Sequence, residues 1–185
     1  ALTIGLVPTN VSCYGVGDGT IDLTVSGGSF PYSYDWTIGL TTIASNEDLT
    51  NLNPGTYSIE VTDANKCVVL GSIGIVEPNL IGVTGISDDI LCNGDGNGSI
   101  DVTAVGGILP YSYLWSGPSA YTSTNEDISN LELGLYDLQV TDANGCVKTT
   151  VFQEYINEPD TVLIQTYTVS CPIPGDDFTV VTIDS

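Results

Sequence analysis

The chain has 185 residues, with 23 Asp plus Glu against 2 Lys plus Arg and no His, so its formal net charge is −21. A nucleic-acid ligand requires Lys and Arg to neutralise its phosphates, and we therefore expect no nucleic-acid partner. Because His is the commonest general base and metal ligand, its absence argues against an enzyme and against a bound cofactor. No apolar run approaches the roughly 18 residues that span a bilayer, so we expect no membrane insertion.

The first elements in chain order are strands rather than helices. Apolar residues alternate with polar ones over 21–25, 32–36 and 57–61, and alternation of this kind is typical of strands with one buried face. Turn formers such as Gly27-Gly28 and Pro54-Gly55 separate these segments. The pattern predicts an all-β fold in which about 79 residues form a seven-stranded immunoglobulin-like sandwich.

The five cysteines reveal an internal repeat. They lie at positions 13, 67, 92, 146 and 171, so the successive differences are 54, 25, 54 and 25, and the pattern recurs with a period of 54 + 25 = 79. The same shift places Val61–Asn65 on the identical Val140–Asn144. We predict sandwich repeats at 1–78 and 79–159, forming a tandem rod, and the start of an incomplete third repeat at 160–185.

The predicted boundaries are two Glu-Pro pairs, because Pro cannot extend a central strand and restricts the residue before it. Glu77-Pro78 recurs as Glu158-Pro159 at a shift of 81 rather than 79, so the second repeat has two extra residues late in its length. We expect these two residues in a loop or linker.

The first repeat carries a series of short motifs, which in chain order are Cys13, Gly17-Asp18-Gly19, Gly27-Gly28, Pro31–Trp36, Asn51-Leu52, Pro54–Tyr57 and Val61–Cys67. The second repeat has Pro110–Tyr113 at the position of Pro31–Tyr34, and Asn144-Gly145-Cys146 where the first has Asn65-Lys66-Cys67. In identity and order these motifs resemble the SprB repeat of very large surface adhesins in gliding and other Bacteroidetes bacteria.

The resemblance implies an extracellular protein of the bacterial cell surface, exported by the type IX secretion route and used for adhesion during gliding. We expect a non-enzymatic structural module of such an adhesin, stiffened by disulfides. Its partners would be neighbouring repeats of the same or identical chains, and surface polysaccharide. One alternative is a subunit of a self-assembling fibre that uses residues 160–185 for strand donation; another is a calcium- or glycan-binding surface domain.

The cysteines of a secreted β module most often form structural disulfides. Pairing within each repeat, Cys13 with Cys67 and Cys92 with Cys146, is the favoured hypothesis. However, the first loop and the last turn of a seven-stranded sandwich lie at opposite ends, beyond the roughly 7 Å limit on Cα separation. Cys13 with Cys146 is therefore the rival pairing, and free thiols are the third possibility. Cys171 lacks a partner in each of these schemes.

Acidic turns suggest a possible calcium site, because Ca²⁺ is bound by several carboxylate, amide and carbonyl oxygens. No defined calcium-loop motif is present, and the competing interpretation is that these side chains bind nearby backbone in Asx turns. The candidate ligands are Asp18, Asp63 and Asn65 in the first repeat and Asp95, Asn97, Asp142 and Asn144 in the second.

Two further features have a catalytic or sugar-binding interpretation beside a structural one. Glu47-Asp48 could form a carboxylate pair, but adjacent strand residues point to opposite faces of a sheet. Trp36 and its repeat equivalent Trp115 could stack on sugar rings, although a Trp at the end of an alternating aromatic strand favours a core position.

Overall fold

The computed structural model describes residues 1–161, 163–170 and 177–184, and the side chains of 1–148 and 154–161. Seven strands build the first repeat, in the number that the sequence predicts. They are β1 (Thr3–Thr9), β2 (Gly19–Ser26), β3 (Ser33–Ile38), β4 (Thr41–Ala44), β5 (Leu49–Leu52), β6 (Gly55–Thr62) and β7 (Val68–Ile75).

These strands form two antiparallel sheets. One has the order β1-β2-β5 and the other the order β4-β3-β6-β7. In the second sheet the register places Trp36 of β3 opposite Ile59 of β6. Side chains from both sheets share one buried core, as in an immunoglobulin-like sandwich.

The core of the first repeat follows from the alternation in its strands. Ile21 and Leu23 are buried while Asp22 between them is exposed, because successive side chains of a strand point to opposite faces. Trp36 is fully buried, and its indole N–H donates to the backbone carbonyl of Asn46 at 3.0 Å. Trp115 is also fully buried, so the core interpretation of both tryptophans is confirmed.

The second repeat has the same topology, with sheets β12-β9-β8 and β11-β10-β13-β14. A short 3₁₀ turn, Pro118–Ala120, precedes β11. The strands are β8 (Gly82–Asp88), β9 (Gly98–Val105), β10 (Ser112–Ser116), β11 (Thr122–Ser123), β12 (Ile128–Leu131), β13 (Gly134–Thr141) and β14 (Val147–Ile156). The predicted all-β, immunoglobulin-like fold is confirmed, while the rod-like arrangement stays a prediction.

The two extra residues of the second repeat lie inside a strand, and the expectation of a loop was wrong. The last strand of the first repeat, β7, has 8 residues, whereas its equivalent β14 has 10. A last strand can lengthen by two residues without changing which face its side chains occupy, because the period of a strand is two.

Each repeat also contains a tyrosine corner, a hallmark of immunoglobulin-like sandwiches. The Tyr57 hydroxyl donates to the carbonyl of Asn53 at 2.8 Å, and the Tyr136 hydroxyl donates to the carbonyl of Glu132 at 3.1 Å. Burial raises the pKa of both phenols. These bonds fix the turn that leads into the sixth strand of each sandwich.

A further pair of strands follows the second repeat. β15 (Leu163–Ser170) pairs antiparallel with β16 (Asp177–Asp184). β2 begins at Gly19, β9 at Gly98 and β16 at Asp177, so these three strands begin one repeat period apart. No helix in the described part of the chain is long and apolar enough to cross a membrane.

The chain divides into two compact units that cut across the repeats. The first comprises Ala1–Thr84, Thr103–Leu114 and Leu138–Phe152; the second comprises Gly85–Val102, Trp115–Asp137 and Gln153–Ser185. The first unit therefore contains the whole first sandwich together with two turns of the second repeat, at 106–108 and 142–146.

Candidate functional site at the Cys13–Cys146 disulfide

The site begins with a buried carboxylate in the turn between β6 and β7. Asp63 is only 4% exposed. Its Oδ1 accepts hydrogen bonds from the backbone N–H of Asn65 at 2.9 Å and of Cys67 at 2.8 Å, and its Oδ2 accepts one from Ser29 at 3.0 Å. These bonds, led by that from Cys67, lower the pKa of Asp63 because they favour the ionised form.

Glycine is required beside this carboxylate. Gly28 has a φ of 65°, and a Cβ at that position would lie 3.0 Å from Asp63 Oδ2 and 2.8 Å from a methyl carbon of Leu2. The Gly-Gly pair of the sequence motif thus allows the chain to pass close to the aspartate.

The second repeat reproduces the same turn. Asp142 is buried, and its Oδ1 accepts from the N–H of Asn144 and of Cys146, each at 2.9 Å. Its Oδ2 accepts from the N–H of Ile108 at 2.9 Å. The repeated Asp-Ala-Asn motif is therefore a device that holds the backbone of the following cysteine in place.

A disulfide joins Cys13 to Cys146, with 5.6 Å between their Cα atoms and a sequence separation of 133. Both residues belong to the first compact unit. The structure thus has the rival pairing, whereas Cys67 and Cys92 are free and exposed. The favoured pairs, Cys13–Cys67 and Cys92–Cys146, are absent from it.

The length of β7 explains this difference. Cys67 lies just before the first residue of β7, whereas the loop that carries Cys13 is bonded to residues just after its last one. Eight residues of extended strand span about 25 Å, far beyond the separation that a disulfide can bridge. The objection raised from sandwich geometry decides against pairing within the repeat.

The loop between β1 and β2 presents Cys13 in a fixed position. Asp18 accepts hydrogen bonds from the Ser12 N–H, at 2.8 Å, and from the Ser12 hydroxyl. These bonds, the hydroxyl first, lower the pKa of Asp18. The Gly15 N–H donates to Glu77 Oε2 at 2.7 Å, so Glu77 of the predicted boundary ties the loop to the end of β7.

One hydrogen bond beside the disulfide distinguishes the two turns. In the first repeat, Asn65 Nδ2 donates to the hydroxyl of Ser29 at 2.8 Å. Ile108 occupies the equivalent position in the second repeat and has no hydroxyl. Asn144 Nδ2 donates instead to the backbone carbonyl of Ser12, at 2.9 Å, next to Cys13. Sequence reasoning missed this bond, although the Ser-to-Ile difference was visible in the aligned repeats.

A cleft of about 300 Å³ adjoins the disulfide. Its lining combines both cysteines with exposed apolar side chains, including Tyr14 and Leu80, and with Lys148. Asp142, whose side chain holds the backbone of Cys146, also lines this cleft.

The structure distributes the calcium candidates over hydrogen-bonded turns, in which Asn65 and Asn144 donate side-chain hydrogen bonds. Asp18, Asp63 and Asp142 bind backbone N–H groups as described, in the manner of the competing Asx interpretation. Asn97, at the position of Asp18, accepts from the Leu91 N–H at 3.1 Å, while Asp95 is exposed. In the described residues no group of three or more His, Cys, Asp or Glu side chains could hold a metal ion.

The acidic pair Glu47-Asp48 and its repeat equivalent Glu126-Asp127 each hold the backbone of a neighbouring strand. Asp48 accepts a hydrogen bond from the Leu23 N–H at 2.9 Å, and Asp127 accepts one from the Val102 N–H at 3.0 Å. Each acidic pair thus contributes one carboxylate to the backbone of a neighbouring strand. Cys171 lies outside the described residues.

Comparison with known families agrees with this architecture. The SprB repeat family model matches residues 5–41 and 84–120, two segments that are separated by the repeat period. No curated protein matches the chain.

The chain is also similar to solved structures. A structure of three N-terminal domains of the Highly Immunogenic Outer Capsid protein of bacteriophage RB49 is similar over 100% of this chain and 70% of that one, with a TM-score of 0.52 and 15% identity. This likeness concerns the fold alone. An amphioxus IgVJ-C2 molecule matches over 84% of this chain and 95% of that one, with a TM-score of 0.34 and 14% identity.

Proposed function

We propose that this chain, whose two repeats match the SprB family model, is a non-enzymatic structural module that extends a large secreted adhesin away from a bacterial surface. The SprB repeats and the immunoglobulin-like fold fit a cell-surface repeat module. The adhesive role, export by the type IX route and a contribution to gliding are the finer parts of the proposal. The observation that carries it is the Cys13–Cys146 disulfide.

The disulfide changes how the chain responds to pulling. Force applied at the two termini passes through residues 1–13, crosses the disulfide and continues from residue 146, so the strands β2 to β13 lie outside its path. Only β1 and β14 of the two sandwiches remain in that path. A module that links a cell to a surface under drag benefits from such an arrangement, because the force cannot extend the chain between residues 13 and 146.

The same link stabilises the module without a bound cofactor. In the chain-entropy description, closing a loop of this length lowers the conformational entropy of the unfolded chain and so stabilises the folded state by about 5 kcal/mol. Such stabilisation suits an oxidising, extracellular location where chaperones are absent. The net charge of −21 also disfavours non-specific association between molecules.

Labelling of intact cells tests the location and the role together. Antibodies raised against the purified chain should label intact cells of the source bacterium, and external protease should remove the label. Cells that carry Cys13→Ser in the parent protein should detach under a lower shear stress than wild-type cells. Labelling that requires permeabilised cells would contradict the proposal, and so would equal detachment of the two strains.

The fibre-subunit alternative is favoured by one observation. β15 and β16 pair with each other in a sheet of two strands, and a two-stranded sheet is marginally stable by itself. Strands of a neighbouring molecule would complete this sheet. Deletion of residues 160–185 should then abolish fibre formation, whereas fibres formed by the truncated chain would refute strand donation.

A further inference from the structure

The Cys13–Cys146 disulfide lies in the wall of a cleft that a small molecule can enter. Both cysteines are half-buried, and both line the cleft of about 300 Å³. This volume equals that of about ten water molecules at roughly 30 Å³ each, which suits a small molecule rather than a folded partner. The described lining residues all belong to the first compact unit. The S–S bond is therefore within reach of a small thiol, which could exchange with it.

Lys148 places a positive charge beside this bond. It is half-buried, lies near the start of β14 and follows Cys146 by two residues. In an extended segment, residues two apart lie on the same face and about 7 Å from each other. The whole chain has only two Lys or Arg side chains, and among the described lining residues Lys148 is the basic one. An anionic group paired with Lys148 would hold its molecule next to the Cys146 sulfur.

The carboxylate of Asp142 also lines the cleft, but it is buried beneath the turns. Asp142 is only 5% exposed, and its two oxygens accept hydrogen bonds from three backbone N–H groups. Gly107 covers it so closely that a Cβ at Gly107 would lie 2.7 Å from Asp142 Oδ2. The N–H dipoles compensate the charge of this carboxylate, so we expect Lys148 to determine which charge the cleft favours.

Exposed apolar side chains provide the remaining contacts. Tyr14, Val16 and Leu80 line the cleft, and each is more than half exposed. They would contact the carbon chain of a molecule whose anionic group pairs with Lys148. We propose that the cleft binds a low-molecular-weight thiol that carries a carboxylate or sulfonate, and that this thiol opens the Cys13–Cys146 disulfide by exchange.

The exchange balances with two molecules of the thiol. The thiolate of the first attacks the Cys146 sulfur and forms a mixed disulfide, while the Cys13–Cys146 bond breaks and Cys13 leaves as a thiolate that takes up a proton. The second attacks the ligand sulfur of the mixed disulfide and releases Cys146 as a thiol. Two small thiols are thereby oxidised to one small disulfide, and the protein disulfide is reduced to two thiols.

This exchange would control how far the chain extends under force. With the disulfide intact, the segment between residues 13 and 146 lies outside the force path, and opening the disulfide returns that segment to it. An anionic thiol in the surroundings would thus convert a locked chain into an extensible one. A small anionic disulfide entering the same cleft would restore the link.

Three small thiols of different charge test the site in the full-length chain. Every sample carries Cys67→Ser, Cys92→Ser and Cys171→Ser, so that Cys13 and Cys146 are its remaining cysteines. Mercaptoethanesulfonate, mercaptoethanol and cysteamine have anionic, neutral and cationic groups, respectively. The released thiols are alkylated and counted by mass spectrometry over time, at low salt. An intact disulfide and an unchanged thermal melt before reduction show that each variant is folded.

Lys148→Gln is compared with the parent for each thiol, so that intrinsic thiol reactivity cancels. Because the attacking sulfur is itself an anion, we expect all three reductions to slow. Mercaptoethanesulfonate should be slowed about three-fold more than mercaptoethanol, because two unit charges about 7 Å apart contribute this factor at the dielectric of water. Cysteamine should be slowed least.

Lys66→Gln is the matched control, because it changes the net charge equally and Lys66 is not among the described lining residues. It should leave all three rates nearly unchanged. If Lys148→Gln slowed the three thiols by one common factor, or if the two lysine substitutions had equal effects, the anion site would be overturned.

A second pair of variants tests entry through the cleft. Val16→Trp enlarges a lining side chain and should slow all three thiols several-fold, whereas Val7→Trp, at an exposed position of β1 outside the described lining, should not. Equal rates for these two variants would overturn entry by this route. Such a failure would leave the surface-module proposal to its own test, because that proposal requires the disulfide but not its exchange.

Discussion

Mechanical unfolding measures directly which part of the chain the disulfide protects. When the chain is held by its two termini and pulled in a force spectrometer, the fully extended reduced chain of 185 residues should reach about 640 Å, at roughly 3.5 Å per residue. The sequence separation of 133 between Cys13 and Cys146 accounts for about 460 Å of that length. We therefore expect the oxidised chain to stop at about 180 Å.

The same experiment distinguishes the alternative pairings. Disulfides within each repeat would lock the segments 13–67 and 92–146 and leave a final length of about 270 Å. Cys13→Ser, or added dithiothreitol, should restore the full extension, while Cys67→Ser is the matched control and should leave the short extension unchanged. A final length of about 270 Å for the oxidised chain would refute the reasoning about the force path, and so would equal extension of the oxidised and reduced chains.

Four substitutions and one control variant test the details of the turns and the core. Lys66 has a φ of 68°, a conformation that favours glycine, so Lys66→Gly should raise the free energy of unfolding by about 1 kcal/mol in urea titration. Because folding lowers the pKa of Asp63, its carboxylate stabilises the protein at pH values above the unfolded pKa near 3.8, and this contribution is lost as the pH falls towards the folded pKa. Asp63→Asn should therefore flatten the dependence of stability on pH below about 3.8, measured by thermal melts against pH. Tyr57→Phe leaves a corner carbonyl without its donor and should lower the free energy of unfolding by about 1 kcal/mol in the same titration. Asn144→Ala should speed the reduction of Cys13–Cys146 by dithiothreitol, whereas Asn65→Ala should not.

Each of these expectations has a contradicting result. A destabilised Lys66→Gly would show that the lysine conformation carries no strain, and an unchanged acid profile in Asp63→Asn would show that its hydrogen bonds do not depend on ionisation. A Tyr57→Phe protein as stable as the wild type would show that the hydrogen bond of the tyrosine corner does not contribute to stability. Equal reduction rates for the two asparagine variants would mean that the Asn144 bond does not protect the disulfide.

The fold could be predicted from the sequence because its signals are local. Alternation in segments such as Ile21–Val25 records which face of a strand is buried, and Gly-Gly and Pro-Gly pairs mark where strands end. The repeat period of 79 residues also predicted the seven strands of each sandwich, because an immunoglobulin-like domain of about this length has seven. The two extra residues of β14 escaped this reasoning because the alternation of a strand is unchanged when it grows by two.

The site could be predicted only in part because it depends on distances between remote residues. The cysteine spacing gave the members of the disulfide, but the pairing follows from the length of β7, which separates Cys67 from the loop that carries Cys13. Likewise, the acidic turn at Asp63 was visible, but only the structure shows that its oxygens are already used by backbone N–H groups. The tyrosine corner was missed because a single Tyr in an alternating strand gives no separate signal.

Disulfide mapping of the purified, oxidised chain tests the central claim most directly. After alkylation of free thiols and unfolding, cleavage on the amino side of Asp places each cysteine in its own peptide, with Cys13 in 1–17, Cys67 in 63–87, Cys92 in 89–94 and Cys146 in 142–159. The account predicts that peptide 1–17 is joined to peptide 142–159, and that 63–87 and 89–94 are alkylated when the chain is kept dilute. Joined peptides 1–17 with 63–87, and 89–94 with 142–159, would contradict it.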